Sequence, residues 1–438
     1  MLPRKRLLLT LAVAALVALP AAVLAGLCLG NACERLDRAQ GRVPFCSLPE
    51  ELRSPIAGGF RDARSPHILA VAGEDTIALS PDARWPSIDD ASPESVPLVF
   101  AGTGVSGGAE VPGGTTLDAV APTLAEIIGL RRPHPGVRSG EAVEGLASAE
   151  RPRLAVLVTW EHVSSRDLEK DPRLWPVLRG LIEDGAATMD AQLGSLPADP
   201  AAVLTTIGTG ALPSGHGITG ALLRNDRGEV VRAWDRRSPF SVVAALGDDL
   251  DETFSQAPRI GLVAGEITDR GLIGGNWYID HDRDDVVIER SPESQAAAAE
   301  ALLASGYGSD STSDLLAVAM RGPVRRLDRA LGRILAAAQG ASGGSLAMAV
   351  TSTGSGGPRD SGGVSLLDVE AEVELTVGAD VIEASTPGGF FLNQGEMTRA
   401  KLSDDRVVSA LRAVESPKGQ PVFADVFPAI AVTFSRYC

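Results

Sequence analysis

Apolar residues fall along the chain in short unbroken runs, and amphipathic stretches separate those runs. His67–Ala72, Val96–Gly104, Leu154–Trp160, Arg259–Ala264, Leu315–Met320 and Leu346–Thr351 are runs of this kind, bounded by turn-forming residues. A short run without polar alternation reads as a strand buried on both faces. Between them, Thr116–Gly129, Asp171–Gly185, Val324–Ala338 and Asp404–Val414 carry apolar residues three and four apart, the period of a helix with one buried face. A shorter helix opens at Leu48–Leu52, and Asn276–Ile279 with Val286–Ile288 reads as a hairpin across a charged turn. Ala201–Gly210 is a helix or strand ending in the compact turn Leu212–Ile218. Strands alternating with helices predict an α/β protein with a mostly parallel central sheet and helices on both faces.

The pattern differs at the amino terminus. Arg4-Lys5-Arg6 precedes a long apolar run from Leu7 to Gly30, so residues 1–30 are a signal peptide or a membrane anchor. Pro20 and Val23-Leu24-Ala25 suit cleavage before Gly26, whereas the length of the run suits a single spanning helix. Either way the remainder lies outside the cytoplasmic membrane, secreted or anchored. There the four cysteines, Cys28, Cys33, Cys46 and Cys438, none with CxxC spacing, point to disulfides rather than to metal or redox chemistry. A formal net charge of −16 argues against a nucleic-acid partner.

The run Thr209-Gly-Ala-Leu-Pro-Ser-Gly-His-Gly-Ile218 resembles the TG-xx-P-xx-HGI signature of the alkaline phosphatase superfamily, especially its phosphodiesterase and phosphate-monoesterase branches. Phe390-Phe-Leu-Asn393 resembles that family's late YLN segment. The strand Val96–Gly104 followed by the helix Thr116–Gly129, which contains Asp118 and Pro122-Thr123, resembles the part with which the family closes its fold. Here this part comes first. The resemblance therefore implies one circularly permuted domain over residues 31–438: 35–132 as the ancestral second part, 133–153 as a linker rich in Pro, Gly and Ser, and 154–438 as the ancestral first part. In the ancestral order Cys438 runs on into the segment carrying Cys33 and Cys46. The permutation thus implies a bond from Cys438 to Cys46, or to Cys33 as the alternative.

The family hydrolyses phosphate esters with two divalent metals, such as zinc or manganese, held by Asp and His beside a hydroxyl nucleophile. The resemblance assigns each task to a position. The first strand ends in Glu161 where a metal-binding Asp is expected. The nucleophile position is Pro200, which has no hydroxyl, and neighbouring Asp199 is a weak substitute. After Met320 the chain passes through Arg321-Gly322-Pro323 without Asp or His. Thr353-Gly354-Ser355 replaces a DHG turn, and Ala83–Ser87, with Trp85, replaces a GTHGS loop. Arg270 matches the Arg of a phosphate-contacting K-D-R element, with Thr268 in place of its Lys; a salt-bridging role is the plainer alternative. Asp280-His281-Asp282 and Asp284-Asp285 read as a solvated turn tip rather than a metal cluster, and His216 as a structural part of the HGI turn.

The expected function is that of an exported, catalytically inactive alkaline-phosphatase-like protein without a cofactor. Its partner would be an extracytoplasmic ligand or an envelope protein, and the membrane itself if the amino-terminal segment stays attached. Two other readings stand beside it: an active metal-dependent phosphodiesterase or phosphatase with other ligands, and a scaffold subunit of a membrane complex.

Overall fold

Every residue of Leu154–Glu161 is buried, because this strand lies at the middle of a sheet covered on both faces. The structure, a computed structural model, describes residues 44–72, 78–79, 88–89, 94–253, 257–275, 277–278, 283–354, 364–386 and 388–438. In chain order its main elements are α1 (Glu50–Gly59), β1 (Ile68–Ala72), β2 (Ser95–Gly102), α2 (Val120–Ile128), β3 (Leu154–Glu161), α3 (Pro176–Asp184), β4 (Ala186–Gln192), α4 (Pro200–Thr209), α5 (Leu246–Thr253), β5 (Ile260–Ala264), β6 (Asp285–Ile288), α6 (Pro292–Ala304), β7 (Asp314–Arg321), α7 (Val324–Ser342), β8 (Leu346–Ser352), α8 (Leu366–Val377), β9 (Ile382–Thr386), β10 (Gly389–Leu392), α9 (Asp404–Arg412) and β11 (Phe423–Pro428).

The main sheet has seven strands in the order β6-β5-β7-β3-β8-β2-β4. The five from β6 to β8 run parallel; β2 is antiparallel to β8, and β4, antiparallel to β2, runs in the direction of the five. Alternate residues of β3 supply the two faces. Ala155 and Leu157 pack toward α2 and α4, with Leu124, Ile127, Val203 and Ile207. Val156, Val158 and Trp160 pack toward α3, α6 and α7, with Leu178, Leu327 and Leu331. The strands carrying Val99 and Val156 share this sheet, and α2 packs on its core.

Three findings depart from the sequence reading or add to it. Ile68–Ala72 belongs not to the main sheet but to a second one of five strands, in the order β9-β10-β1-β11, where β1 is antiparallel to β10 and β11 and the short strand Ile88–Asp89 pairs in parallel with Val71-Ala72. Val369, Val373, Val407 and Leu411 of α8 and α9 pack in the same apolar cluster as Ile68, Phe390 and Val426 of this sheet. Among the described residues the expected hairpin is not formed: β6 pairs in parallel with β5, Val286 opposite Leu262 and Val287 opposite Val263. A parallel ladder with a buried strand takes the place of a turn-back on Trp277-Tyr278. The acidic turn is correspondingly not all solvated: Asp284 is buried against Arg270, and Asp285 accepts a hydrogen bond from the Tyr307 hydroxyl at 2.9 Å. Asp280-His281-Asp282 lies outside the described residues.

Cys46 and Cys438 form a disulfide, with Cα atoms 5.2 Å apart and 392 residues between them in sequence. Cys28, Cys33 and the apolar run Leu7–Gly30 lie outside the described residues. Among the described residues no helix is long and apolar enough to cross a membrane. The segment 133–153 packs closely on the fold: Arg138 and the preceding Arg132 both bond to Asp249 of α5.

Candidate functional site

The carboxyl ends of the parallel strands are where a doubly covered sheet exposes backbone and side chains to a ligand. Glu161 ends β3 and Arg321 ends β7, and the parallel register sets the two side by side. Their side chains meet, Arg321 Nη2 donating to Glu161 Oε2 at 2.5 Å. The Glu161 side chain is fully buried, while that of Arg321 is 42% exposed. Burial pushes the Glu161 carboxyl up, and the Arg321 guanidinium opposes that shift. Glu161 Oε1 has no hydrogen-bond partner among the described residues.

Two further carboxylates stand after β5. Asp269 Oδ2 accepts from the Gly265 and Glu266 backbone N–H groups at 3.0 and 2.9 Å, and Glu266 lies 3.6 Å from Arg321 Nη1. Burial first, and then the charge of Glu161, push the Asp269 carboxyl well above the usual carboxylate range. A methyl group placed on Gly265 would sit 3.6 Å from Asp269 Oδ2 and 4.0 Å from Glu161 Oε1, so these groups converge on one point. Sequence reasoning missed Asp269, Glu266 and the role of Arg321. The available signal was a charged residue directly after a buried apolar run at both Glu161 and Arg321.

The remaining expected positions are occupied by structural bonding. Pro200 is the first residue of α4, where a missing N–H removes no helix bond. Asp199 caps that helix: Oδ1 accepts from Ala201 N at 2.9 Å and Ala221 N at 3.0 Å, and burial pushes its carboxyl up to about 6. Thr353 joins two strand ends, its N–H donating to the Trp160 carbonyl at 3.1 Å and its hydroxyl accepting from His162 N at 3.1 Å. Gly354 takes φ +81°, with the Leu193 side chain against it. His216 is buried between the Thr206 hydroxyl and the Ile218 N–H, both at 3.1 Å, and burial lowers its imidazole to about 3, so it stays neutral. Arg270 donates to Asp284 at 3.0 Å and to the Gly274 carbonyl at 2.8 Å, which is the salt-bridging alternative. Trp85 and Cys33 lie outside the described residues.

These donors do not fit a pair of divalent metals. Glu161, the acid at the expected metal-ligand position, is already bonded to a guanidinium, and Thr353 and Gly354 follow β8 where the resemblance expects Asp and His. Among the described residues no group of three His, Cys, Asp or Glu side chains is placed to hold a metal ion. A guanidinium supplies charge and hydrogen bonds, but it does not turn bound water into hydroxide as a metal does.

No family model matches the chain, and no curated protein matches it. Among solved structures it is similar to the wild-type alkaline phosphatase PafA, with 14% identity and a TM-score of 0.45, over 61% of this chain and 77% of that one. A multiply substituted mutant of the same enzyme is similar at a TM-score of 0.43, with the same identity and coverage. The likeness is one of fold.

Proposed function

We propose that this protein is an exported, non-catalytic alkaline-phosphatase-like protein that acts as an extracytoplasmic binding or envelope-associated module. The observation that carries the reading is the bond between Arg321 and Glu161: a fixed organic cation takes up the buried carboxylate that a catalytic metal would need. Pro200 in place of a nucleophile and Asp199 committed to capping support the same reading. The Cys46–Cys438 bond suits an oxidising compartment. The reading also takes the domain as circularly permuted. Its support is the place of β2 between β8 and β4 in one sheet, together with a disulfide that holds the two ends of the domain together.

Metal analysis of the purified full chain, with assays on a phosphate monoester and a phosphate diester, tests the proposal. It expects neither stoichiometric zinc or manganese nor turnover. Hydrolysis that chelator abolishes and that persists through repurification overturns it.

A further inference from the structure

The far end of α4 from Pro200 carries a feature unconnected with the strand-end site. A groove of about 820 Å³ runs beside the carboxyl end of α2, lined by Arg131, Arg132, Arg138 and Arg151. That volume is in the range of small-ligand sites. Four arginines in one groove stand out in a chain with a net charge of −16.

Two of these arginines form its fixed floor. Arg132 Nε and Arg138 Nη2 both bond to Asp249 Oδ2, at 2.7 and 2.9 Å, with side chains only 6% and 5% exposed. Their other bonded donors go to the neutral carbonyls of Thr209, Ala244, Pro133 and His134. Among the described residues Asp249 is the one carboxylate bonded to either guanidinium, so the triad keeps a positive charge without a bonded counterion there. Such a charge in a poorly solvated wall favours an anion in front of it.

The other two are the contacts. Arg151 donates through Nη1 to the carbonyls of Glu126, Ile127 and Ser148, and to no carboxylate among the described residues. Arg131 is exposed and makes no hydrogen bond or ion pair with a described residue. Exposed Glu126 and Glu141 also line the groove. They hold its net charge to a small positive value, which disfavours a long polyanion such as a nucleic acid and favours a compact anion. We propose that this groove binds a small multivalent anion bearing phosphate or carboxylate groups, held by Arg131 and Arg151 over the Arg132–Asp249–Arg138 floor.

Calorimetric titration of the full chain with inorganic pyrophosphate and, separately, with citrate tests this and distinguishes phosphate from carboxylate as the recognised group. Saturable one-to-one binding of at least one probe is expected, weakened roughly tenfold in Arg131→Gln, as loss of one charge-assisted contact implies. Arg333→Gln removes an arginine paired with Glu300 on the exposed face of α7 and should leave binding unchanged. Absence of saturable binding by both probes, or equal binding by Arg131→Gln and the parent, overturns the proposal. Neither result bears on hydrolysis, so this inference and the proposed function fail separately.

Discussion

Glu161 and Arg321 are register partners on neighbouring parallel strands, and one buried carboxylate oxygen of Glu161 receives the guanidinium of Arg321. This pair closes the strand ends with charges internal to the chain. Removing the cation alone leaves a buried acid. Arg321→Met is expected to destabilise the protein by about 2 kcal/mol at neutral pH, less than the loss for a fully buried pair because Arg321 is partly solvated. Adding Glu161→Gln should recover most of that loss. Chemical denaturation of the two single variants and the double variant measures the coupling, and simple additivity would contradict it.

Supplying a hydroxyl should not create an enzyme. Pro200→Thr places one at the first position of α4, but Arg321, Ser352 and Thr353 still stand at the strand ends. No hydrolysis of 4-nitrophenyl phosphate or bis(4-nitrophenyl) phosphate is expected with added zinc or manganese. Chelator-sensitive turnover in this variant would mean that metal ligands exist elsewhere in the site.

Asp199 gives a pH dependence with a definite sign. Its carboxyl is raised to about 6 in the folded state, against about 3.9 unfolded, so the folded state holds a proton that the unfolded state has released. Its contribution to stability is fully present below about pH 4 and is lost as pH rises through about 6. Urea denaturation at intervals from pH 4 to 7 should show the advantage of the parent over Asp199→Asn shrinking as pH rises. Parallel profiles would show that the burial of Asp199 does not govern its titration.

The disulfide closes a very long loop. In the chain-entropy description a bond spanning 392 residues contributes as much as about 6 kcal/mol, less whatever residual structure the unfolded chain retains. Peptide mapping without reduction should recover a crosslinked Cys46–Cys438 pair, and Cys438→Ser should lower the denaturation midpoint markedly. A free Cys438 thiol in the protein isolated without reductant would remove the bond and weaken the case for permutation.

Limited proteolysis of the oxidised protein should release no stably folded fragment ending near Arg153. Arg132 and Arg138 are tied to Asp249 of α5, and β2 lies between β8 and β4, so the segments on either side of 133–153 share one core. Asp249→Ala, which leaves two buried guanidiniums unpaired, should open this region to cleavage first.

The strands that were legible in the sequence are those whose residues are buried on both faces. Leu154–Trp160, Leu315–Met320 and Leu346–Thr351 read as unbroken apolar runs because no side chain there reaches water. The second sheet was not legible. Its strands are short, and apart from Ile88–Asp89 β1 finds its partners at 389–392 and 423–428, a distance over which periodicity carries no information. The same limit produced the expected hairpin, since Val286-Val287 suits an antiparallel or a parallel neighbour equally well. At the candidate site, single positions such as Glu161 and Pro200 were legible as departures from a resemblance. The bond from Arg321 to Glu161 was not, because it depends on the register between β7 and β3, and apolar strands fix that register only through packing.

Synthesis runs in one direction, and the central strand of the second sheet comes early. Ile88–Asp89 can pair early with Val71-Ala72, but the partners of Ile68–Ala72 at residues 389–428 emerge much later, and Cys46 waits still longer for Cys438. A nascent chain of this protein therefore carries an apolar strand with one edge open, and the other covered only at Val71-Ala72, through most of its elongation. The second sheet is completed only once its carboxyl-terminal strands have emerged, and a holding factor that shields residues 68–72 in the meantime would raise the yield of folded protein.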